Sequence, residues 1–275
     1  MDHRTALLRS KLPLGGIGLE IGPSYNPLTP KSEGFKVETV DYTDAAGLRA
    51  KYDGNPHVDI GRIEEVDHVV NSGMSLADAV GKRGYYDYVI ASHVIEHTPD
   101  LVSFLQSIEY LMSADGVLLL AVPDKRHCFD VLQPLSSTGM IMQAYIEKRQ
   151  RPDPGSIFDD VAYNAVRGDA IGWSPADTDG LRFFATLDDA RRLLEESQHD
   201  ETYRDVHVWR FVPSSFRLIV NDLAAIGATS LKESWFHDSV GNEFYICLSR
   251  SGAGPGSSRL ELAQQALREH GLIRV

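Results

Sequence analysis

The chain has 275 residues, 43% of them hydrophobic, which suits one α/β core with an elaboration better than two separate cores. Its formal net charge of -12 and isoelectric point near 5.2 weigh against nucleic acid as a partner, because sequence-independent affinity for RNA or DNA comes from Lys and Arg neutralising phosphates. Two distant cysteines, Cys128 and Cys247, suggest neither a disulfide framework nor a cysteine-based zinc site, and no apolar run is long enough for a signal peptide or a bilayer span, so a cytoplasmic protein without a membrane partner is expected.

In chain order, short apolar runs rich in Val and Ile alternate with helical patterns. "GIGLEI" (16–21), "KVETVD" (36–41), "VDHVV" (66–70), "YDYVIAS" (86–92) and "GVLLLAVP" (116–123) read as buried strands. Between the last two, Thr98 is the expected helix cap and Pro99 the first turn, and "LVSFLQSIEYLM" carries an apolar stripe that "SADG" stops. "PSSFRLIVNDLAAIG" is a further helix, followed by "SLKESWFHD" and "EFYICLSR" as a hairpin turning at 239–242. Five parallel strands closed by a hairpin imply an α/β, doubly wound, mostly parallel seven-stranded sheet. Residues 1–123 and 207–250 form its core, and 124–206, rich in Pro, Gly and Asp, form a cap insertion after the fifth strand, over the carboxyl edge where open α/β sheets bind ligands. Residues 251–275 read as a flexible linker and a short amphipathic C-terminal helix.

The first strand runs into "LEIGPSYNPL". Gly22 permits a tight turn and close approach of backbone to a ligand, and Asp41, ending the second strand, is placed to accept hydrogen bonds from a ribose diol. A nucleoside ligand follows. The G-x-G-x-x-G fingerprint is missing, which counts against a dinucleotide. "LEIGPS", "VETVDYTD", "YDYVIASHVIEHTPD" and "GVLLLAVPD", in this order, resemble the successive motifs of class I S-adenosylmethionine-dependent methyltransferases over residues 15–124 and 207–250. The resemblance implies S-adenosyl-L-methionine as cofactor, with Glu20 and Gly22 on its methionine part, Asp41 on the ribose, Asn71, Ser72 and Gly73 flanking the adenine, and Ser92 with His93 closing the methionine side. Pro23 and Ser24, in the same loop, stand where the family often has glycine, and Asn71 where an acid is common.

"ASHVIEHTPD" sets His93, Glu96 and His97 at spacing i, i+3, i+4, side by side if the segment is a turn of helix. A similar segment, "EVIEH", in small-RNA 2'-O-methyltransferases and ubiquinone-pathway O-methyltransferases helps hold a divalent metal, joined by a His after the fifth strand. Here that His is His207, and His93 replaces the first acid. The resemblance thus implies a metal site of His93, Glu96, His97 and His207, softer than Mg prefers and closer to Mn, Fe or Zn. The competing reading is that Glu96 and His97 only orient the chain while His93 faces the cofactor.

Methyl transfer to an aliphatic hydroxyl needs a general base or a metal that lowers the hydroxyl pKa. His207 suits either role. "PDKRHCFD" offers Asp124 and His127 as rival bases, and Asp159, Asp160, Trp173 and Trp209 are candidate acceptor contacts, or else plain packing and solvated charge. The set "IGPSYNPL", "ASHVIEH", "VPDKR" and "HVWRF" resembles bacterial O-methyltransferases associated with glycan and polysaccharide biosynthesis, which implies a small-molecule or oligosaccharide acceptor methylated at a sugar hydroxyl. The alternatives are a phenolic or natural-product hydroxyl, or a non-catalytic cofactor-binding scaffold or sensor. The oligomeric state stays open, a homodimer included.

Overall fold

Seven strands form the sheet that the apolar runs implied. This computed structural model describes residues 2–271 apart from 72, 175, 178, 179 and 201. In chain order the elements are α1 (His3–Arg9), β1 (Gly18–Ile21), β2 (Val37–Asp41), α2 (Ala45–Tyr52), β3 (His68–Val69), α3 (Leu76–Val80), β4 (Tyr86–Ser92), α4 (Leu101–Leu111), β5 (Met112–Pro123), α5 (Thr138–Glu147), α6 (Pro154–Tyr163), β6 (Ala165–Arg167), β7 (Leu181–Phe183), α7 (Leu187–His199), α8 (Pro213–Ala225), β8 (Lys232–Val240), β9 (Glu243–Ser249) and α9 (Arg259–Glu269). β1 pairs in parallel with β2 and β4, β2 with β3, and β4 with β5; β9 returns antiparallel between β5 and β8.

Both faces of the sheet are covered, which is why its central strands read as unbroken apolar runs. On one face Leu19, Val89, Leu118 and Leu120 pack with Leu105 and Ile108 of α4 and Phe216 and Ile219 of α8. On the other, Tyr88, Ile90, Leu119 and Tyr245 pack with Leu8 of α1 and with Leu12 and Leu28. Cys128 and Cys247 are free and buried. The cap of α4 differs from expectation. Thr98 closes a 3-10 turn by donating Oγ1 to Ile95 O at 2.8 Å, and Asp100 caps the helix by accepting from Ser103 N at 2.9 Å, so the helix begins at Leu101.

The described residues of 124–206 carry three α-helices, two 3-10 turns and the two-stranded β6–β7 sheet, more regular structure than their Pro- and Asp-rich composition suggested. The segment after β9 follows the sheet edge: Gly254 N donates to Glu233 O at 3.0 Å, and a Cβ at Gly252 would lie 2.3 Å from the Lys232 carbonyl oxygen. α9 buries Leu262 and Ala266, and its Glu269 accepts from Ser214 N and Oγ at the start of α8 at 2.9 and 2.6 Å. Among the described residues no helix is long and apolar enough to cross a membrane.

Glu38 on β2 joins neighbouring elements through His68 Nε2 at 2.7 Å, Tyr86 Oη at 2.6 Å and Lys82 Nζ. Burial opposes its charge, but these three partners outweigh burial and hold the carboxyl at about 2 against 4.5 when free. A lowered folded-state pKa gives stability that is full above about 4.5 and lost as pH falls toward 2. Glu38→Gln is therefore expected to cost about 1–2 kcal/mol at neutral pH, the deficit shrinking across that window. Urea midpoints of both proteins measured against pH check this, and a deficit independent of pH would contradict it.

Candidate functional site

The carboxyl ends of β1, β2 and β4 lie side by side, with Ile21 paired to Val40 and to Ala91. Just beyond them Gly22 turns the chain at φ +61°, donating its N–H to Val40 O at 2.8 Å, and Ser24 follows at φ +47°. A Cβ on Gly22 would lie 3.2 Å from Val94 Cγ2, so glycine serves both the turn and the close packing. Asp41 stands at the adjacent strand end, where Oδ1 accepts from Tyr42 N at 2.8 Å and burial raises its pKa. The ends of β1, β2 and β4 thus bring Gly22, Pro23, Ser24, Asp41 and Ser92 to one edge. Asn71 and Gly73 are exposed beyond β3, and Ser72 lies outside the described residues.

Glu20 has a different task from the direct ligand contact expected of it. It is buried, and its carboxylate accepts from Leu28 N at 2.6 Å, Thr29 N at 2.9 Å and Thr29 Oγ1 at 2.9 Å. Burial pushes its pKa up while these three donors hold it down. The acid is committed to tying the loop at Leu28 and Thr29 back to β1.

His93, directly after β4, has φ +54°, a backbone state rare for a residue with a Cβ. Glu96 and His97 lie on the 3-10 turn Ile95–His97, so the helical face imagined for the three residues does not exist. What assembles the site is the returning chain. Glu96 O accepts Val208 N at 2.7 Å and Trp209 N at 3.1 Å, and Trp209 Nε1 donates to Thr98 O at 2.6 Å, which docks His207 against Glu96.

The result is a buried carboxylate ringed by imidazoles. Glu96 is 1% exposed and neither of its oxygens has a hydrogen-bond partner. Its Oε1 lies 3.6 Å from His93 Nδ1, 3.8 Å from His97 Nε2 and 3.9 Å from His207 Nε2. Such separations are too long for hydrogen bonds and close to the roughly 3.4 Å between two ligands each about 2.1 Å from a tetrahedral ion. Ligand atoms of Glu96, His97 and His207 all lie within 4.8 Å of one another, and His93 falls outside this trio, so the expected set of four is brought together only in part. A buried carboxylate without hydrogen bonds, facing imidazole nitrogens, fits a divalent cation, because burying such a group without partners is costly.

Each imidazole is backed by an acid. His93 Nε2 meets Glu243 Oε2 at 2.9 Å, His97 Nδ1 meets Asp205 Oδ1 at 2.9 Å, and His207 Nδ1 meets Asp130 Oδ2 at 2.6 Å. Burial works against charge on His93 and His97, yet the Glu243 and Asp205 contacts, with the Glu96 carboxylate, raise both. The His97 contact holds Asp205 at about 2; burial opposes the Glu243 charge, but Arg4 and His93 bring that carboxyl to about 2 as well. Arg4 of α1 also donates to Ser92 Oγ at 2.9 Å.

Other candidates are placed elsewhere. Asp124 is fully buried, held by Arg126 Nε at 2.9 Å and Ser239 Oγ at 2.6 Å, so it is locked in an ion pair and unsuited to take a substrate proton. His127, half-buried on the turn Lys125–His127, stands outside the trio, and burial depresses its pKa. Asp160 accepts His207 N at 3.1 Å and is buried, while Asp159 is half-buried. Trp173 and Trp209 are 6% and 2% exposed, so both are packing residues and neither is a stacking surface for a sugar. Asp130, Asp205, Glu243 and Arg4 were missed by sequence reasoning, because the partner each one meets lies far away in the chain.

Residues 1–216 match the family model described as a methyltransferase domain. No curated protein matches the sequence. Among solved structures, a Rhodobacter sphaeroides protein assigned to the Zn-dependent alcohol dehydrogenases is 13% identical over 91% of this chain and 90% of its own, with a TM-score of 0.48. The CcbJ methyltransferase from Streptomyces caelestis is 13% identical over 89% and 93%, with a TM-score of 0.44. A SAM-dependent methyltransferase from Aquifex aeolicus is 10% identical over 89% and 88%, with a TM-score of 0.43. At these identities and scores no activity passes from any of the three to this chain.

Proposed function

We propose, from the premise that this chain belongs to the family of methyltransferase domains that its residues 1–216 match, that it is an S-adenosylmethionine-dependent O-methyltransferase acting on a sugar hydroxyl, assisted by a divalent metal. The observation that carries the metal is the Glu96 carboxylate, buried without a hydrogen bond and facing imidazole nitrogens at 3.6 to 3.9 Å.

S-adenosylmethionine supplies an electrophilic methyl group on a sulfonium, so a C–O bond forms as the C–S bond breaks and the hydroxyl proton leaves. Asp41 is proposed to hold the ribose diol, Gly22 to let backbone approach the cofactor, Asn71 and Gly73 to flank the adenine, and Ser92 to line the methionine side. Glu96, His97 and His207 would hold the metal, whose contribution is Lewis acidity toward the acceptor oxygen. His207 has a second reading. Asp130 at 2.6 Å from Nδ1 fixes the tautomer that leaves Nε2 free to accept a proton, the arrangement of a general base with its orienting acid.

Either device favours an aliphatic acceptor over a phenolic one. A phenol ionises near pKa ~10, whereas an aliphatic alcohol is a far weaker acid and depends more on a base or a metal to lose its proton. The -12 charge adds weight against nucleic acid, and the insertion 124–206 is the proposed acceptor-binding part. The test is mass spectrometry on a panel of unmethylated sugars and phenols incubated with protein, S-adenosylmethionine and Mn2+ or Co2+. A sugar gaining one methyl group is expected; gain on phenols alone would replace the acceptor class.

A further inference from the structure

We propose that Asp130 and Asp205 are positioning residues of the Glu96 cluster, holding His207 and His97 by their outer nitrogens so that the inner nitrogens face Glu96 and receive a transition ion in preference to Mg2+, while Glu243 holds the neighbouring His93 in the same way. The inference rests on the metal reading above and extends it to residues and an ion class that the ligand trio leaves open.

The geometry is a hydrogen bond at His93 and at His207 and a 2.9 Å ion-pair contact at His97, from separate parts of the chain. Glu243 is the first residue of β9, Asp130 lies on the 3-10 turn Phe129–Leu132, and Asp205 precedes His207 by two residues. Their contacts at 2.9, 2.6 and 2.9 Å fall on His93 Nε2, His207 Nδ1 and His97 Nδ1. In every case the remaining ring nitrogen is the one nearest Glu96 Oε1. A carboxylate accepting from one ring N–H leaves the other nitrogen with its lone pair directed away, which fixes the tautomer and raises ligand basicity.

The acids are themselves held. Glu243 also accepts from Arg4 Nη2 at 2.9 Å and Tyr245 Oη at 2.8 Å, and Asp130 accepts from Gln133 Nε2 at 3.0 Å with Arg210 Nε 3.5 Å away. With His97 and His207 so held beside one carboxylate, imidazole nitrogen is the dominant donor. Nitrogen donors suit Mn2+, Fe2+, Co2+ or Zn2+, whereas Mg2+ prefers oxygen and retains water.

Asp→Asn tests the support without removing bulk. The amide offers a neutral oxygen or, turned over, an N–H that forces the ring proton onto the inward nitrogen. Co2+ and Zn2+ are titrated into metal-stripped full-length wild type, Asp130→Asn and Asp205→Asn, following cobalt absorption, with Mg2+ as competitor and thermal unfolding of each metal-free protein alongside. Expected are one tight Co2+ site in wild type, affinity about 10–100-fold weaker in each variant, and no displacement by Mg2+. Asp205 is 58% exposed on its side chain, so Asp205→Asn keeps the test valid even where loss of the buried Asp130 charge impairs folding. Wild type that binds Co2+ while the variants match it overturns the positioning role alone, and displacement by Mg2+ overturns the ion class. Wild type that binds neither Co2+ nor Zn2+ overturns the metal reading as well.

Discussion

Glu96→Gln is expected to abolish metal uptake and to lower methyl transfer on the order of 10³-fold, while leaving S-adenosylmethionine affinity unchanged. Glu96 supplies the only carboxylate of the trio, and both of its oxygens lack hydrogen bonds. Removing its charge should cost the metal-free protein little in stability, because burial without a hydrogen bond offsets what the carboxylate contributes to the imidazoles 3.6 to 3.9 Å away. Metal content, cofactor calorimetry and denaturant midpoints on one preparation check all three parts. A substantial loss of stability in the metal-free variant would identify Glu96 as a structural acid paired with its imidazoles. His207→Ala separates the two proposed roles of that residue: as ligand it loses metal and turnover together, whereas as a metal-free base it loses turnover while chelators leave wild type unaffected.

Asp41→Ala is expected to weaken S-adenosylmethionine binding about 10–100-fold, the usual cost of losing charge-assisted hydrogen bonds to a ribose diol. The side chain stands at the end of β2 beside Gly22, and one of its oxygens already accepts from the next backbone amide, which fixes the carboxylate's orientation. Binding by calorimetry, with metal uptake as the control for correct folding, decides it. Unchanged cofactor affinity would place the ribose elsewhere.

The strands were legible because burial on both faces writes itself as continuous Val, Ile and Leu, and 86–92 matches β4 residue for residue. The helix start at Leu101 was not, since Thr98, Asp100 and Pro99 all carry start signals and the choice is made by the 3-10 turn that occupies Thr98. The helices of the insertion did leave local marks. Thr186 with Asp189 is a capping box, and Asp153 with Pro154 a cap followed by a favoured first residue, but the surrounding Pro, Gly and Asp obscured them. Glu20 showed its type and not its task, because Leu28 and Thr29 reach it only through the fold of the loop. At the site, the histidines and Glu96 were readable from spacing and resemblance. Their supporting acids were not, since Asp130, Asp205 and Glu243 converge from separate segments. The burial of Trp173 and Trp209 is likewise a tertiary property, and it removes both from contact with an acceptor.

The most direct test is methyl transfer from isotope-labelled S-adenosylmethionine to a sugar acceptor, by protein stripped of metal and by the same protein resupplied with Mn2+, Co2+ or Zn2+. Label on the sugar oxygen only after an ion is restored, with cofactor bound equally in both states, is the expected result. Full transfer by the stripped protein would contradict a metal role for Glu96, His97 and His207.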